Sequence, residues 1–318
     1  MTGAAGQLGR AISRHFRERG HEVRATDVTD PETASARAIV RCDVTDVDGL
    51  AALARGCDAV VHLAALGTPW ASSEEEIFRV NASGTFCVYR AAALAGVPRV
   101  VCASSINALG LYFGPRPVAV ERIPVDEGHP CSPADPYSFS KLVLESVAAY
   151  FFHREGIASV CFRMGQNMGE DLRPVHESVR DAVSALLALP RAEGQSRAQR
   201  VIRSFFDANR DPRRRYEIPF PDHAIATGAV HLWSCLDDRD RNHAFELAVA
   251  KELHGAHVVN LCDDHNQLGL PSRELSELFY PNAVVEPHLC GTQSLLSVER
   301  AKSLLDFVPA HSVKRFFA

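Results

Sequence analysis

Tyr137 and Lys141 stand four residues apart in Asp135-Pro-Tyr137-Ser-Phe-Ser-Lys141, and the run Leu142-Val-Leu-Glu-Ser-Val-Ala-Ala after them reads as helix. Positions i and i+4 share one helix face, so a phenol and an ammonium can address the same point. Tyrosine, with an ordinary pKa near ~10, is a poor base at neutral pH. A lysine cation about 4–6 Å away favours the phenolate, and bringing the pKa to ~7 takes about 4 kcal/mol of such help. The pair is what a proton-transferring tyrosine requires. Tyr-x-x-x-Lys alone recurs by chance in many helices, so its meaning depends on the elements that would position it.

The chain opens Met1-Thr2-Gly3-Ala-Ala-Gly6-Gln7-Leu8-Gly9 and continues into an amphipathic run. Gly-x-x-Gly-x-x-Gly is the spacing of a phosphate-cradling turn. Glycine allows the tight turn and a close backbone approach, and the N-terminus of the following helix faces the pyrophosphate. A strand over 21–27 ends in Asp27, 18 residues after Gly9. A carboxylate there accepts hydrogen bonds from both hydroxyls of an adenosine ribose and repels a 2′-phosphate, which favours NAD over NADP. The plainer alternative is that Asp27 caps a turn. A strand over 38–44 brings Asp43 and Val44 to an adenine edge. Another over 58–65 ends in Leu63-Ala64-Ala65, whose alanines let a cofactor lie against the backbone. His62 has no partner at ligand spacing and is expected to pack against the sheet. Asn81, on the next helix, is expected as a polar tie under the active site and is counted with the cofactor residues. A strand beginning at Val97 then runs out into Ser104, Ser105, Ile106 and Asn107.

Strands alternating with helices imply a parallel sheet with ligand sites at the carboxyl ends of its strands. The predicted fold is α/β: a Rossmann-type doubly wound parallel sheet with a small C-terminal α/β substrate lobe. Residues 1–165 form the cofactor domain and 166–318 mainly the lobe, with segments around 225–262 returning to the main sheet. Ser105 lies at a strand end and Tyr137 opens the helix after the next loop, so Ser105, Tyr137 and Lys141 can converge beside a nicotinamide. One feature departs from the pattern. Such a glycine turn follows a buried strand of about five or six residues, yet only Met1 and Thr2 precede Gly3. Five buried residues at ~1.5–3 kcal/mol each could exceed a domain's stability of ~5–15 kcal/mol. The expectation is a missing or truncated first strand and a native start lying upstream.

Composition narrows the classes. Apolar residues make up 46% of the 318 and charged ones 23%, so a well-buried core is expected. A net charge of −5 and a pI near 6.3 give no reason to expect nucleic-acid or membrane-surface binding. No apolar run nears the ~20 residues of a membrane span and no signal peptide opens the chain, so a cytoplasmic protein is expected. Nine cysteines show no Cys-x-x-Cys and no Cys/His ligand spacing, which predicts buried thiols and no metal. Gly-x-Ser-x-Gly, His-Glu-x-x-His and Walker patterns are absent, leaving hydrolase, zinc-protease and kinase chemistry unsupported. The segment 191–221 carries Arg191, Arg197, Arg200, Arg203, Arg210 and Arg213-Arg-Arg215 among Phe205, Phe206 and Phe220. Either it is a lid recruiting an anionic sugar through forked hydrogen bonds, or a solvated insertion with an amphipathic helix, the commoner case for any single arginine.

Together these pieces resemble the extended short-chain dehydrogenase/reductases of the NAD-dependent epimerase/dehydratase family. The matching residues are Thr2 to Gly9, Asp27, Asp43-Val44, His62-Leu-Ala-Ala65, Asn81, Ala103-Ser-Ser105, Tyr137-Ser-Phe-Ser-Lys141, Arg163 with Gly169, Trp233-Ser-Cys-Leu-Asp237-Asp-Arg239-Asp240, and the closing run from Ser294 to Pro309. The resemblance covers nearly the whole chain, least well over 186–227. Ser104-Ser105-Ile-Asn-Ala-Leu-Gly110-Leu-Tyr112 looks closest to the sugar-oxidising, uronate dehydrogenase type. In the family's nucleotide-sugar epimerases the third residue after the arginine matching Arg163 is usually Asn; here it is Gln166, followed by Asn167.

The resemblance implies an NAD-dependent oxidoreductase acting on a hydroxyl of a sugar or sugar acid. Tyr137 would be the base, Ser105 would hold the reacting oxygen, and Lys141 would lower the tyrosine pKa and bind the cofactor ribose. Gly3, Gly6, Gln7, Leu8, Asp27, Asp43, Val44, Leu63, Ala64, Ala65 and Asn81 would hold the rest of NAD. Ser105, Ile106, Asn107, Gln166 and Asn167 would meet the substrate. A nucleotide-sugar epimerase or dehydratase that retains NAD shares this site, and a catalytically silent NAD-binding protein is a third reading. The family also implies a homodimer through the helices carrying Asn81 and Tyr137.

Overall fold

The computed structural model describes residues 1–29, 39–167, 177–211, 214 and 217–317, with Asn167 described in its backbone alone. Gly169, Arg213 and Arg215 lie outside the described residues. In chain order the elements are α1 (Gln7–Glu18), β1 (Ala25–Asp27), β2 (Ile39–Arg41), α2 (Val47–Ala54), β3 (Val60–His62) and α3 (Glu74–Phe78). A π-helical turn (Arg79–Ser83) joins α3 to α4 (Gly84–Ala95), followed by β4 (Arg99–Ala103), a 3₁₀ turn (Ile106–Leu109), β5 (Arg122–Ile123) and α5 (Pro136–Glu155). Then come β6 (Ala158–Met164), β7 (Gln166–Asn167), α6 (Glu177–Leu187), α7 (Arg191–Asn209), α8 (Asp222–Val230), β8 (Cys235–Leu236) and α9 (Asp238–Ala250). The chain closes with β9 (Ala256–Leu261), α10 (Ser272–Phe279), β10 (Val284–Val285) and α11 (Glu299–Leu305).

The main sheet is parallel throughout. β2 pairs β1 on one side, and β3, β4, β6 and β9 follow one another on the other. Thr2 joins the halves, bridging Thr26 and His62 in the parallel sense. Its N–H donates to the Val61 carbonyl at 3.0 Å, while Thr26 N–H donates to the Met1 carbonyl at 2.8 Å. The expected first strand is thus reduced to one bridging residue. The predicted strand over 21–27 is paired only from Ala25; before it, the Met1 ammonium donates to the Arg24 carbonyl at 2.7 Å, and among the described residues no strand pairs with residues 21–24. Cavities of about 180 and 40 Å³ open around Met1, Arg24, Cys57 and Ala59, beside that gap.

Period-two alternation sends the strand side chains into two layers. Val60, Val100, Cys102 and Cys161 meet α2, α4 and α5 through Leu50, Tyr89 and Phe151. Val61, Val101, Val160 and Phe162 meet α1, α9 and α11 through Ile12, Phe245 and Leu305. A third core builds the C-terminal lobe around Phe205, Leu232 and Trp233. The arginine-rich segment belongs to this lobe. On α7, Ala198, Ile202, Phe205 and Phe206 are buried while Arg191, Arg197, Arg200, Arg203 and Arg210 face solvent. Arg191 pairs with Glu277 at 3.4 Å and Arg197 with Glu193 at 2.6 Å. An amphipathic helix with a solvated face therefore replaces the lid.

α5 needs little tertiary help to start and stop. The Asp135 side chain caps it by accepting from Ser138 N–H at 2.8 Å, Pro136 occupies its first turn, and Gly156 (φ 72°) ends it in the left-handed region. Tyr137 and Lys141 both lie in its first two turns.

Candidate active site

A cavity of about 520 Å³ lies along the carboxyl ends of β1, β2 and β3. Gly3, Gly6, Gln7 and Leu8 form one wall, Asp27, Asp43 and Val44 the outer end, and Leu63, Ala64 and Ala65 the floor. The glycines differ in what they do. Gly3 has φ +69°, and a Cβ there would lie 2.5 Å from Ala64 N, so packing alone demands glycine. A Cβ on Gly6 meets nothing nearer than Gly3 O at 3.4 Å, an ordinary contact. What glycine leaves at position 6 is room in the cleft for a ligand to approach the backbone at the α1 N-terminus, as a pyrophosphate needs. Gly6→Ala is accordingly expected to keep its melting temperature while weakening NAD binding about tenfold or more, read by calorimetry; equal affinity would remove Gly6 from the phosphate site.

The Asp27 carboxylate is fixed by N–H donors from Ala5 at 2.9 Å and Thr29 at 3.0 Å. It both ties the glycine turn to β1 and presents an anion where an adenosine ribose would sit. Thr45 donates to Asp43 through N–H at 2.9 Å and hydroxyl at 2.8 Å, and these bonds lower the Asp43 pKa. Lining residues that escaped the sequence reading include Leu66, Glu76, Arg79 and Val80. Arg79 is held by a forked pair to Glu76 at 2.7 and 2.8 Å. Their sole sequence signal is the (i, i+3) spacing of opposite charges.

Asn81 is buried and does not line the cleft; it lies in the π turn. Its side chain accepts from Leu66 N–H at 2.8 Å and donates to the Leu66 carbonyl and the Ser140 hydroxyl, both at 3.0 Å. It therefore locks the cleft floor to α5. His62 is fully enclosed between the Thr2 and Thr85 hydroxyls at 2.8 and 3.0 Å, and burial pushes its pKa down to about 3. A neutral packing histidine is the outcome, as expected.

Ser105, Tyr137 and Lys141 come together where β4 ends against α5. The Ser105 hydroxyl is within hydrogen-bonding reach of the Tyr137 phenol, and the Lys141 ammonium lies 5.6 Å from the phenol ring centroid. The electrostatics differ from the expectation. Burial raises the Tyr137 pKa and outweighs the Ser105 hydrogen bond, which lowers it. Burial also pushes Lys141 down to about 8, and its Nζ donates to the Ala103 carbonyl at 2.7 Å. Lys141 is thus engaged by the strand end rather than by the phenol, and desolvation of both groups dominates.

Behind this trio lies a buried ion pair that spacing gave no means to find. Arg163 on β6 donates to both Glu145 oxygens, at 2.8 and 2.7 Å, and Ser104 donates to the same carboxylate at 2.7 Å. Glu145 follows Lys141 by one helical turn and Ser104 precedes Ser105, so this pair sets the register of α5 against β4. Phe113 meets the Tyr137 ring edge-on at 5.7 Å, with Trp70 edge-on to Phe113 at 5.3 Å. Ile106, expected to meet substrate, is instead packed in the lobe core. Asn107 is buried with its Oδ1 unpartnered, and Gln166 lies half-buried on β7. The Asn167 side chain lies outside the described residues.

Residues 1–208 match the family described as NAD dependent epimerase/dehydratase. A uronate dehydrogenase of Pseudomonas syringae pv. tomato is 33% identical over 172 residues, covering 54% of this chain and 59% of that protein. An L-arabinose 1-dehydrogenase (NAD(P)(+)) of Haloferax volcanii is 29% identical over 248 residues, covering 75% of this chain and 89% of that one. A solved mutated uronate dehydrogenase superposes with a TM-score of 0.62 at 22% identity, over 99% of this chain and 82% of that one, which shows a shared fold. The chain spans about 59% of the length of the first uronate dehydrogenase it matches. With glycine turn, cleft, serine, tyrosine and lysine all inside the matched residues, this chain belongs to the NAD dependent epimerase/dehydratase family.

Proposed function

We propose that the protein is an NAD-dependent dehydrogenase that oxidises a hydroxyl of a sugar or sugar acid. The observation that carries the reading is the Ser105 hydroxyl on the Tyr137 phenol, with Lys141 beside it, next to a cleft whose Gly6 and Asp27 fit a dinucleotide. NAD, held by the glycine turn and Asp27, supplies the hydride acceptor. Tyr137 takes the proton of the substrate hydroxyl, Ser105 holds that oxygen as charge shifts, and Lys141 supplies positive charge behind the phenol. Asn107 and Gln166 orient the sugar, and Phe113 and Trp70 wall its side of the phenol. Similarity to an L-arabinose 1-dehydrogenase supports a C1 hydroxyl as the point of attack. The test is NADH formation from NAD with a uronic acid, a neutral aldose and a UDP-sugar. NADH from a free sugar or sugar acid is expected. A UDP-sugar isomerised without net NADH would replace this reading with a cofactor-retaining epimerase, and inertness toward all three would leave a binding protein.

We also infer a homodimer. Two stacked aromatic pairs are exposed on the adjoining faces of α3, α4 and α5: Phe78 with Phe139 at 5.8 Å, and Phe86 with Tyr150 at 6.0 Å. Isolated surface aromatics are common, but four on neighbouring helices form an apolar patch of the kind that marks an interface. Light scattering is expected to give twice the chain mass, falling to one in Phe86→Glu/Tyr150→Glu; a monomeric parent removes the inference.

A further inference from the structure

Away from the cleft, Glu246 on α9 gathers three imidazoles. His15 Nε2 on α1 lies 2.9 Å from its Oε2, and His243 Nδ1, one turn earlier on α9, lies 3.5 Å from the same oxygen. His21 Nε2, just beyond α1, lies 3.4 Å from Oε1. The ligand atoms of His15, His243 and Glu246 all fall within 4.8 Å of one another. Tetrahedral zinc with nitrogen and oxygen ligands at ~2.0–2.1 Å separates neighbouring donors by about 3.3 Å, so small side-chain shifts suffice. Arg19 also bonds the carboxylate, Nε to Oε1 at 3.2 Å, but its side chain is 60% exposed and free to swing away. Glu246 itself is only 12% exposed. Burial opposes its charge, yet hydrogen bonds from His15, Arg19 and His21 hold its pKa at about 2, keeping the carboxylate anionic.

We propose that His15, His243 and Glu246, with a water or His21 completing the coordination, form a site for a divalent transition-metal ion of the zinc class that clamps α1 to α9. The donor set is imidazole and carboxylate with one anion, which suits Zn²⁺, Ni²⁺, Co²⁺ or Cu²⁺ rather than the oxygen-seeking Mg²⁺ or Ca²⁺. The location makes the role structural. α1 and α9 pack on the same face of the sheet through Ile12, Phe16, Ala244 and Phe245, and His15 on α1 meets Glu246 and His243 on α9 across that contact. α1 begins at the glycine turn, so the clamp fixes the helix whose N-terminus faces the cleft. Spacing along the chain predicted no metal because His15 and Glu246 are 231 residues apart; the one local trace is His243-x-x-Glu246 on α9.

The test titrates the full chain, stripped with EDTA, with ZnCl₂ by calorimetry and with CoCl₂ by visible absorption, in a Cys290→Ser background that removes the exposed thiol. One saturable equivalent, a melting temperature raised by zinc and the intense visible band of four-coordinate cobalt are expected. His243→Gln, a half-exposed position that tolerates the change, weakens zinc at least ~10-fold, and His15→Gln/His243→Gln abolishes the band, with NAD affinity in EDTA unchanged. Absence of saturable zinc binding overturns the proposal, and so does binding undiminished in His243→Gln. If the double variant does not fold, the cobalt spectrum of the parent and the single variant decide.

Discussion

Tyr137→Phe is expected to lower turnover by about 10²–10⁴-fold, the range that a positioned proton-transfer group contributes, while NAD affinity stays within a few-fold. The phenol oxygen is the atom that Ser105 reaches, and phenylalanine keeps the ring against Phe113. Packing therefore survives and only the proton path is lost. The measurement is steady-state turnover beside calorimetric NAD binding. Turnover within tenfold of the parent would falsify the tyrosine assignment and leave Lys141 or a bound water as base. Since burial raises the phenol's pKa, the parent's rate should climb with pH across the neutral range, and the variant's residual rate should lose that rise.

Glu145→Ala should cost about 3–5 kcal/mol of unfolding free energy, the usual penalty for leaving one member of a buried ion pair alone. The two side chains are 4% and 5% exposed, and alanine leaves the Arg163 guanidinium with the Cys131 thiol and the Glu127 carbonyl but no counter-charge at its tip, and takes the acceptor from the Ser104 hydroxyl. Against a total of ~5–15 kcal/mol this is a large fraction, so the single variant is expected to melt early or express poorly. Glu145→Leu/Arg163→Met should recover most of the loss, because an apolar pair of similar volume avoids desolvating charge. Urea denaturation of the parent, both singles and the double settles it. A single-variant loss under ~1 kcal/mol would mean that water or a rearranged partner already satisfies Arg163. A stable double variant with impaired turnover would assign the pair to holding Lys141 and Ser105 in register.

Local chemistry was legible from the residues themselves. Glycine at positions 3, 6 and 9, an acid closing the next strand, and a phenol one helical turn from an ammonium are short-range patterns whose physics is set by backbone geometry and helical period. They point to the fold class, the cleft and the candidate trio of Ser105, Tyr137 and Lys141 without knowledge of any distant contact. Which layer each of Val100, Val101, Cys102 and Ala103 joins, by contrast, shows only in the packed structure, since all four are apolar. Long-range questions were decided only in three dimensions. Whether Lys141 depresses the tyrosine depended on how deeply both were buried, and burial won. Whether Asn81 touches cofactor or props Leu66 depended on a π turn that no periodicity signals. The arginines of α7 became a solvated face because Ile202, Phe205 and Phe206 found a core to fill. Glu145 with Arg163, and Glu246 with His15, are pairings between elements far apart in sequence; a linear chain carries the charges but not their meeting. The sequence by itself determined which groups could do chemistry, and the tertiary structure decided their neighbours, because desolvation and ion pairing depend on distances that only packing sets.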